Sequence, residues 1–387
     1  MVANSKKNVA IVASYEDEGD MLYYIVRAEG IEDAAVYLSA ETAFVKTCNA
    51  NIDIFVQRQE QTDISALTLI QKLRNSGKYG MEVHLLLVNE ITKEMLPVMF
   101  EHDLQFVLEA PFTEERIKDK LNHVLRMEEE LNPLDRDLRS ARSAWYAGEI
   151  AFAKEICVRL FKTHGFQERI LILLGEIALK EEKIEEAHAM FDIVLRTSPD
   201  SLVAKHRLAN TYMKEKDFLK AAPMLNDLVS SNPLNINVLA DAGTANMEIG
   251  DVARAEAAMN QMLKLDKKDR FANEIMAKIA LAGGHVEDAC DFLKNSFNEL
   301  EMIQFLNNSG AKLSQENDIN GAIRLYSQCL DIIKGNKYLY AIHYNLGLAY
   351  IKLKQTTQAA EQLRLAIASK PDFVKAQQAL DKILAAK

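Results

Sequence analysis

Little in this sequence breaks a helix. Glycine and proline number only 15 and 7 in 387 residues, too few for a chain built on many tight β-turns, so extended helical structure is expected. Cysteine is as sparse. Cys48, Cys157, Cys290 and Cys329 stand far apart with no CxxC or metal-knuckle spacing. They are expected to be reduced, small buried apolar residues, and neither a metal nor a cofactor is expected. No stretch nears the roughly 18 apolar residues that span a bilayer. The apolar run from Val9 to Ala13 is too short for a signal-peptide core, so the expected location is cytoplasmic. A basic surplus is missing too. Lys and Arg total 46 against 56 Asp and Glu, a net charge of −10, which counts against direct binding to a phosphate backbone. There is no P-loop, no GxGxxG and no HExxH, and the eight histidines are scattered. No catalytic residues can be assembled, and an enzyme is not expected.

What is present is a repeat. Ala153, Ala187, Ala221, Ala255, Ala289, Ala322 and Ala359 follow one another at gaps of 34, 34, 34, 34, 33 and 37. Four residues after each comes a larger side chain: Cys157, Phe191, Leu225, Met259, Leu293, Tyr326 and Leu363. Twelve before each comes a small one: Ala141, Gly175, Ala209, Gly243, Ala277, Gly310 and Gly347. Pro199, Pro233 and Pro371 stand twelve after three of them. The spacing predicts pairs of antiparallel helices. The small residue of the first helix lets the second approach, the alanine marks a helix crossing, and the large residue is expected to fill the space between units. Proline closes the hairpin because it cannot continue a helix.

This pattern resembles the tetratricopeptide repeat family. Seven helical hairpins are expected over residues 132–371 and a capping helix over 372–387. The first copy departs from the pattern, with Ala141 for glycine and Trp145 one place late. Pro223 falls inside a second helix, and the 37-residue gap places an insertion near Lys334-Gly335-Asn336. The resemblance implies a superhelix whose inner face, lined by the first helices, holds a protein or peptide. The inward residues are Arg139, Arg142, Tyr146, Arg169, Glu176, His206, Asn210, Lys214, Thr244 and Lys278, with Arg142, Tyr146 and Asn210 the preferred anchors. A clamp for a C-terminal carboxylate is not expected, because the unit after His206 and Asn210 offers Ala240 and Asp241.

Residues 1–131 alternate strand and helix patterns. Strands are expected at Asn8–Ala13, Val36–Leu38, Asp53–Val56, Val83–Val88 and Gln105–Leu108. Helical spacing follows at Met21, Leu22, Ile25 and Val26, at Leu67, Ile70 and Leu73, and from Glu114 onward. Alternation of this kind predicts an α/β doubly wound parallel sheet. Ile70–Arg74 (IQKLR) and the Pro-Phe-Thr at 111–113 give the segment a resemblance to response-regulator receiver domains, of flavodoxin-like fold.

The resemblance implies an acidic Mg²⁺ site, an aspartyl phosphoacceptor, a Thr or Ser and a Lys. Those positions hold Ala13 and Ser14, Arg58, Val88 and Ala110. Alanine and serine cannot build a hard oxygen cage, and arginine cannot accept the phosphoryl group, so a pseudo-receiver without phosphotransfer is expected. Arg58 is read either as an ordinary solvated arginine or as a stand-in for the charge of Mg²⁺. The face of helix four, strand five and helix five commonly serves dimerisation in that family, which opens a homodimer to this chain. The short junction at Asn132-Pro133 favours a docked pair of domains. The expected function is a phosphorylation-independent protein–protein interaction adaptor or scaffold in bacterial signalling. The alternative is a regulator of transcription or RNA acting through a sigma-type factor or nucleic acid.

Overall fold

A computed structural model describes residues 7–80 and 82–385. The outer limits of the expected domains, residues 1–6 and 386–387, lie outside that description. One compact unit ends at Asp266 and another begins at Lys267.

The first unit opens with five parallel strands: β1 (Asn8–Val12), β2 (Asp33–Tyr37), β3 (Ile54–Arg58), β4 (Val83–Val88) and β5 (Phe106–Glu109). Their order is β2-β1-β3-β4-β5. The helices between and after them are α1 (Glu16–Ala28), α2 (Ala40–Thr47), α3 (Ala66–Asn75), α4 (Met95–Glu101) and α5 (Glu114–Glu130). Period-two alternation sends Val9, Ile11 and Val56 to one apolar layer with Leu22, Ile25 and Leu121. It sends Ala10, Val12 and Phe55 to the other with Leu69 and Leu73. Both faces of β1, β3 and β4 are therefore covered, and these strands read as near-continuous apolar runs. The edge strand β2 is largely exposed and begins three residues before the expected Val36. β4 falls where the sequence places it, residue for residue. β3 runs Ile54–Arg58 against the expected Asp53–Val56, with the Asp53 carboxylate just before it accepting the Asn8 backbone N–H at 2.8 Å. α2, α3 and α5 start on side-chain caps from Ser39, Ser65 and Thr113.

Four hairpins complete this unit: α6/α7 (Pro133–Tyr146, Ile150–His164), α8/α9 (Glu168–Lys180, Ile184–Thr197), α10/α11 (Leu202–Lys214, Phe218–Ser231) and α12/α13 (Ile236–Glu248, Val252–Leu265). Asn132 caps α6 and Pro133 occupies its first turn. Pro223 sits inside α11, which nevertheless runs unbroken to Ser231.

The second unit holds α14/α15 (Arg270–Ala282, Val286–Ser296), α16/α17 (Glu299–Gln315, Ile319–Ile332), α18/α19 (Tyr340–Lys352, Thr356–Ser369) and α20 (Val374–Ala385). The insertion near Gly335 becomes a 3-10 turn, Lys337–Leu339, capped by Asn336.

All seven repeat alanines are fully buried. In four repeats the large residue fills the small-residue notch of its own hairpin, and Phe191 and Tyr326 also pack against Leu208 and Ile342 of the next unit, as expected. A methyl group on Gly175 would meet Phe191 Cε1 at 2.5 Å, one on Gly347 would meet Leu363 at 3.0 Å, and those on Gly243 and Gly310 would strike Met259 and Tyr326. The turns share one conformation as well. Gly148, Glu182, Lys216, Gly250, Gly284, Asn317 and Lys354 all have φ between 60° and 81°, the left-handed helix terminator. Cys157, Cys290 and Cys329 are buried and Cys48 is half-buried, all as free thiols.

Candidate functional site

The first helices of the first four hairpins present one face to the α/β domain, and a buried chain of charges joins them. Arg142 of α6 reaches Glu176 of α8 at 3.3 Å. Glu176 also takes Arg207 Nε of α10 at 2.6 Å. Arg207 Nη1 lies 3.4 Å from Glu101 of α4. Glu101 in turn accepts Asn235 Nδ2, at the start of α12, at 2.5 Å. His206 stands beside it, 2.8 Å from Asp241 and 3.9 Å from Glu101. The side chains of Glu101, Glu176 and His206 are at most 7% exposed.

Burial by itself would raise the Glu176 carboxyl, but Arg207 and Arg142 overcome it and hold it below the usual carboxylate range. Glu101 is likewise held far down against its burial, through His206, Arg207 and His102. Burial works against protonation of His206, yet Asp241 and Glu101 raise it above the ordinary histidine value. Next to them, burial pushes His102 down to about 4.

Three more contacts close the seam. Gln71 of α3 donates to Leu234 O at 2.9 Å and accepts the Ile236 N–H at 2.9 Å. That N–H belongs to the first turn of α12, where no intrahelical partner exists. Asn75 donates to Asn237 at 2.7 Å and Lys72 meets Asp266 at 2.5 Å. The Tyr146 ring fills the place where a side chain on Gly80 would stand. Leu234 packs into the apolar cluster of Leu67, Ile70, Met95 and Val98.

Arg142, Glu176 and His206 come together in the charge chain, and Tyr146 lies against the α/β domain. Arg169 pairs with Asp135 at 2.7 Å and lies 3.9 Å from Asp103. Lys214 reaches Leu179 O, Thr244 bonds back to Ala240 O, and Lys278 pairs with Glu274. Arg139 is engaged within the chain as well. Asn210 keeps a buried Oδ1 that has no partner among the described residues. Sequence reasoning missed Arg207, Gln71, Glu101 and Asn235. Arg207 shares its place in the repeat with Arg139 and Asp241, though Leu173 interrupts that column, so the signal was weak. Gln71 and Glu101 carried none.

At the carboxyl edge of the sheet, Ala13, Ser14, Arg58, Val88 and Ala110 end or follow β1, β3, β4 and β5. Arg58 is not solvated: its side chain is 15% exposed. It pairs with Glu18 at 3.1 Å and Glu60 at 2.7 Å, donates to Asn89 at 2.6 Å, and lies 4.5 Å from the centre of the Phe112 ring. Glu18, on the first turn of α1, also accepts the Ser14 N–H at 2.9 Å. The Ala110-Pro111 peptide is cis. Among the described residues, no three His, Cys, Asp or Glu side chains are placed to hold a metal ion, and no helix is long and apolar enough to cross a membrane.

Tetratricopeptide repeat family models match residues 206–292 and 340–373. A curated Drosophila melanogaster protein, the BBSome complex member BBS4 homolog, is 24% identical over 183 residues, covering 47% of this chain and 30% of that protein. The chain thus spans less than a third of that relative's length. Among solved structures, a tetratricopeptide repeat protein from Parabacteroides merdae is similar at 14% identity and TM-score 0.41, over 65% of this chain and 98% of the other. Naa15/Naa10 bound to HypK-THB is similar at 18% identity and TM-score 0.42, over 66% and 39%. MamA is similar at 20% identity and TM-score 0.37, over 42% and 88%. Arrays of this kind generally mediate protein–protein interaction. Tetratricopeptide repeats are thus matched within the helical part of the chain, at residues 206–292 and 340–373, and that part follows an α/β domain with a five-stranded parallel sheet.

Proposed function

We propose that this chain is a phosphorylation-independent protein-interaction adaptor of bacterial signalling, working in the cytoplasm, with its α/β domain a receiver that has lost phosphotransfer. The repeat array is the scaffold, and Arg139, Arg142, Tyr146, Arg169, Glu176, His206, Asn210, Lys214 and Thr244 form the face that binds protein. The strand order β2-β1-β3-β4-β5 supports the receiver reading, since it is one of the two common doubly wound orders.

The observation that carries the loss of function is Arg58. Ligands of open α/β sheets bind outside the carboxyl ends of the strands, where the strand order reverses. Here β1 and β3 flank that point, and the Arg58 guanidinium fills it, paired with Glu18 and Glu60. A fixed cation takes the place that a metal and a phosphoaspartate would share. Leu96 and Phe100, 51% and 73% exposed on α4, support the homodimer contact that the receiver resemblance implies. Sedimentation of the full chain at rising concentration tests that contact, and an unchanging monomer removes it.

The central test uses the full chain. Incubation with acetyl phosphate and Mg²⁺ is expected to give no acid-labile phosphoprotein; stoichiometric phosphate sinks the pseudo-receiver reading. Used as bait in a lysate of its host, the same chain is expected to retain a defined protein. Loss of that protein in an Arg142→Ala/Asn210→Ala variant places it on the repeat face, and retention of nothing removes the adaptor.

A further inference from the structure

We infer that the α/β domain is a releasable cover over the face its own first four hairpins offer to a partner, held by a latch centred on Glu101. Three observations lead there. Two residues that the repeat pattern marks as facing a partner are already engaged in cis: Tyr146 against Gly80, and His206 near Glu101, where Arg207 joins it. The seam carries many polar contacts, made of Gln71, Asn75, Lys72 and Glu101 with their partners, beside the apolar Leu234 and Tyr146 and an open cleft between Leu96 and Phe100 of α4 and Leu202 and Val203 of α10. Polar seams between domains of one chain behave like transient interfaces, whereas apolar ones fuse. The elements that meet there also bury polar atoms with no partner among the described residues: His102 Nε2, Trp145 Nε1 and Asn210 Oδ1. Such atoms lower the stability of the closed arrangement and favour an alternative one that satisfies them.

The charge chain explains how a latch of this kind opens without leaving a bare charge. Arg207 is shared between Glu101 and Glu176, and Arg142 also holds Glu176. When α4 withdraws, Glu101 returns to solvent while Arg207 and Glu176 keep each other. The array is charge-paired in both states, so release does not strand a buried ion. The cover bears on partners only if the array is the adaptor proposed above.

Amide hydrogen exchange of the full chain tests the cover with no partner present. The Ile236 N–H, bound to Gln71, reports the seam; the Leu85 and Leu86 amides of β4 report the sheet core. In the native chain Ile236 is expected to exchange at least about tenfold faster than the β4 amides, because it opens without global unfolding. Glu101→Gln keeps the shape, and with it the acceptor for Asn235, but removes the charge. It is expected to speed Ile236 by about another tenfold and leave β4 unchanged. Gly80→Leu, which drives a wedge against Tyr146, is expected to act in the same direction by a different route. Equal rates at Ile236 and β4 in the native chain overturn the cover, since the seam then opens only on unfolding. Unchanged Ile236 rates in both variants overturn the latch. Either failure leaves the adaptor reading standing, and that reading is decided by the pull-down.

Discussion

Phe191 lies where a methyl group on Gly175 would have to go, its Cε1 only 2.5 Å from that position. Two effects oppose each other when Gly175 is made alanine. Helix propensity favours the change by about 1 kcal/mol. Overpacking a closed notch opposes it by about 1–3 kcal/mol. The ring is fully buried in the hairpin and cannot swing out, so the clash wins. Gly175→Ala is expected to lower the urea midpoint, and Phe191→Leu in the same chain to recover part of the loss. A rise in midpoint for the single variant contradicts the notch.

The hairpin turns give a prediction of opposite sign. Lys216 and Glu182 hold φ of 61° and 60° where Gly250 and Gly284 stand in other hairpins. A side chain in that region costs about 1 kcal/mol that glycine avoids. Lys216→Gly is expected to stabilise by up to about 1 kcal/mol, and Gly250→Ala to destabilise by about as much. Thermal melts of the pair read both signs.

The repeat was legible because its pattern is local physics restated at a fixed period. The Ala153 series marks sites where no side chain larger than a methyl fits, and every member is fully buried. Most strands were legible for the same reason, Val83–Val88 above all, where His84 is the one polar residue of a strand buried on both faces. The largely exposed edge strand Asp33–Tyr37 was not, being expected three residues late at Val36–Leu38. Two short helices were not, α2 and α4. α4 spans seven residues with Pro97 among them and offers too few turns for a periodicity. The site was legible only by half. Arg142, Glu176 and His206 followed from the repeat. Their partner did not, because Gln71 and Ile236 meet across 165 residues and no spacing in the chain encodes such a contact. Arg58 shows the same limit: its position was legible at the end of β3, while Glu60 and Asn89 as its partners needed the fold.

Arg58 is expected to be structural. Its removal leaves Glu18, whose side chain is 4% exposed, without its cation. Breaking one half of a buried pair costs about 3 kcal/mol, more than the pair contributes against an apolar replacement. Arg58→Ala should therefore lower the unfolding free energy of the first unit by about that amount, while Arg58→Ala/Glu18→Gln should recover much of it. Equal losses in the single and double variants rule out the pairing as the cause.

The stability of the first unit is expected to fall on acidification. Burial pushes His102 down to about 4, below its value of about 6.5 in the unfolded chain. The neutral ring is the folded form, so its contribution is complete above about pH 6.5 and is lost as pH falls toward 4. His84, also pushed down by burial, acts in the same sense. His206, raised by Asp241 and Glu101, acts oppositely and loses its contribution as pH rises. Between pH 7 and pH 5 the His102 contribution by itself is expected to fall by on the order of 2 kcal/mol. His102→Gln should flatten the slope of urea midpoint against pH over that range. An unchanged slope assigns the effect elsewhere.

Gln71 ties the two domains through a single amide, and its replacement by leucine should separate them. The side chain donates to Leu234 O at 2.9 Å and to Leu67 O at 3.1 Å, and accepts the Ile236 N–H at 2.9 Å. Leucine matches its size but none of its bonds. Ile236 begins α12, so its N–H has no helical carbonyl to fall back on, and Leu234 O loses its donor in the same place. A buried polar group left unpaired costs about 1–3 kcal/mol, against a gain of well under that from the added apolar contact with Leu234. The penalty falls on the seam and not on either core, because Leu67 O stays within the α3 hydrogen-bond ladder. Gln71→Leu is therefore expected to split the first unit's calorimetric transition in two, with the α/β domain melting apart from the hairpins. Gln71→Glu, which keeps the acceptor for Ile236 but meets Leu234 O with a negative charge, should fall between the two. A single transition at an unchanged midpoint in the leucine variant means the domains are joined by other contacts, and the weight then shifts to Glu101 and its neighbours.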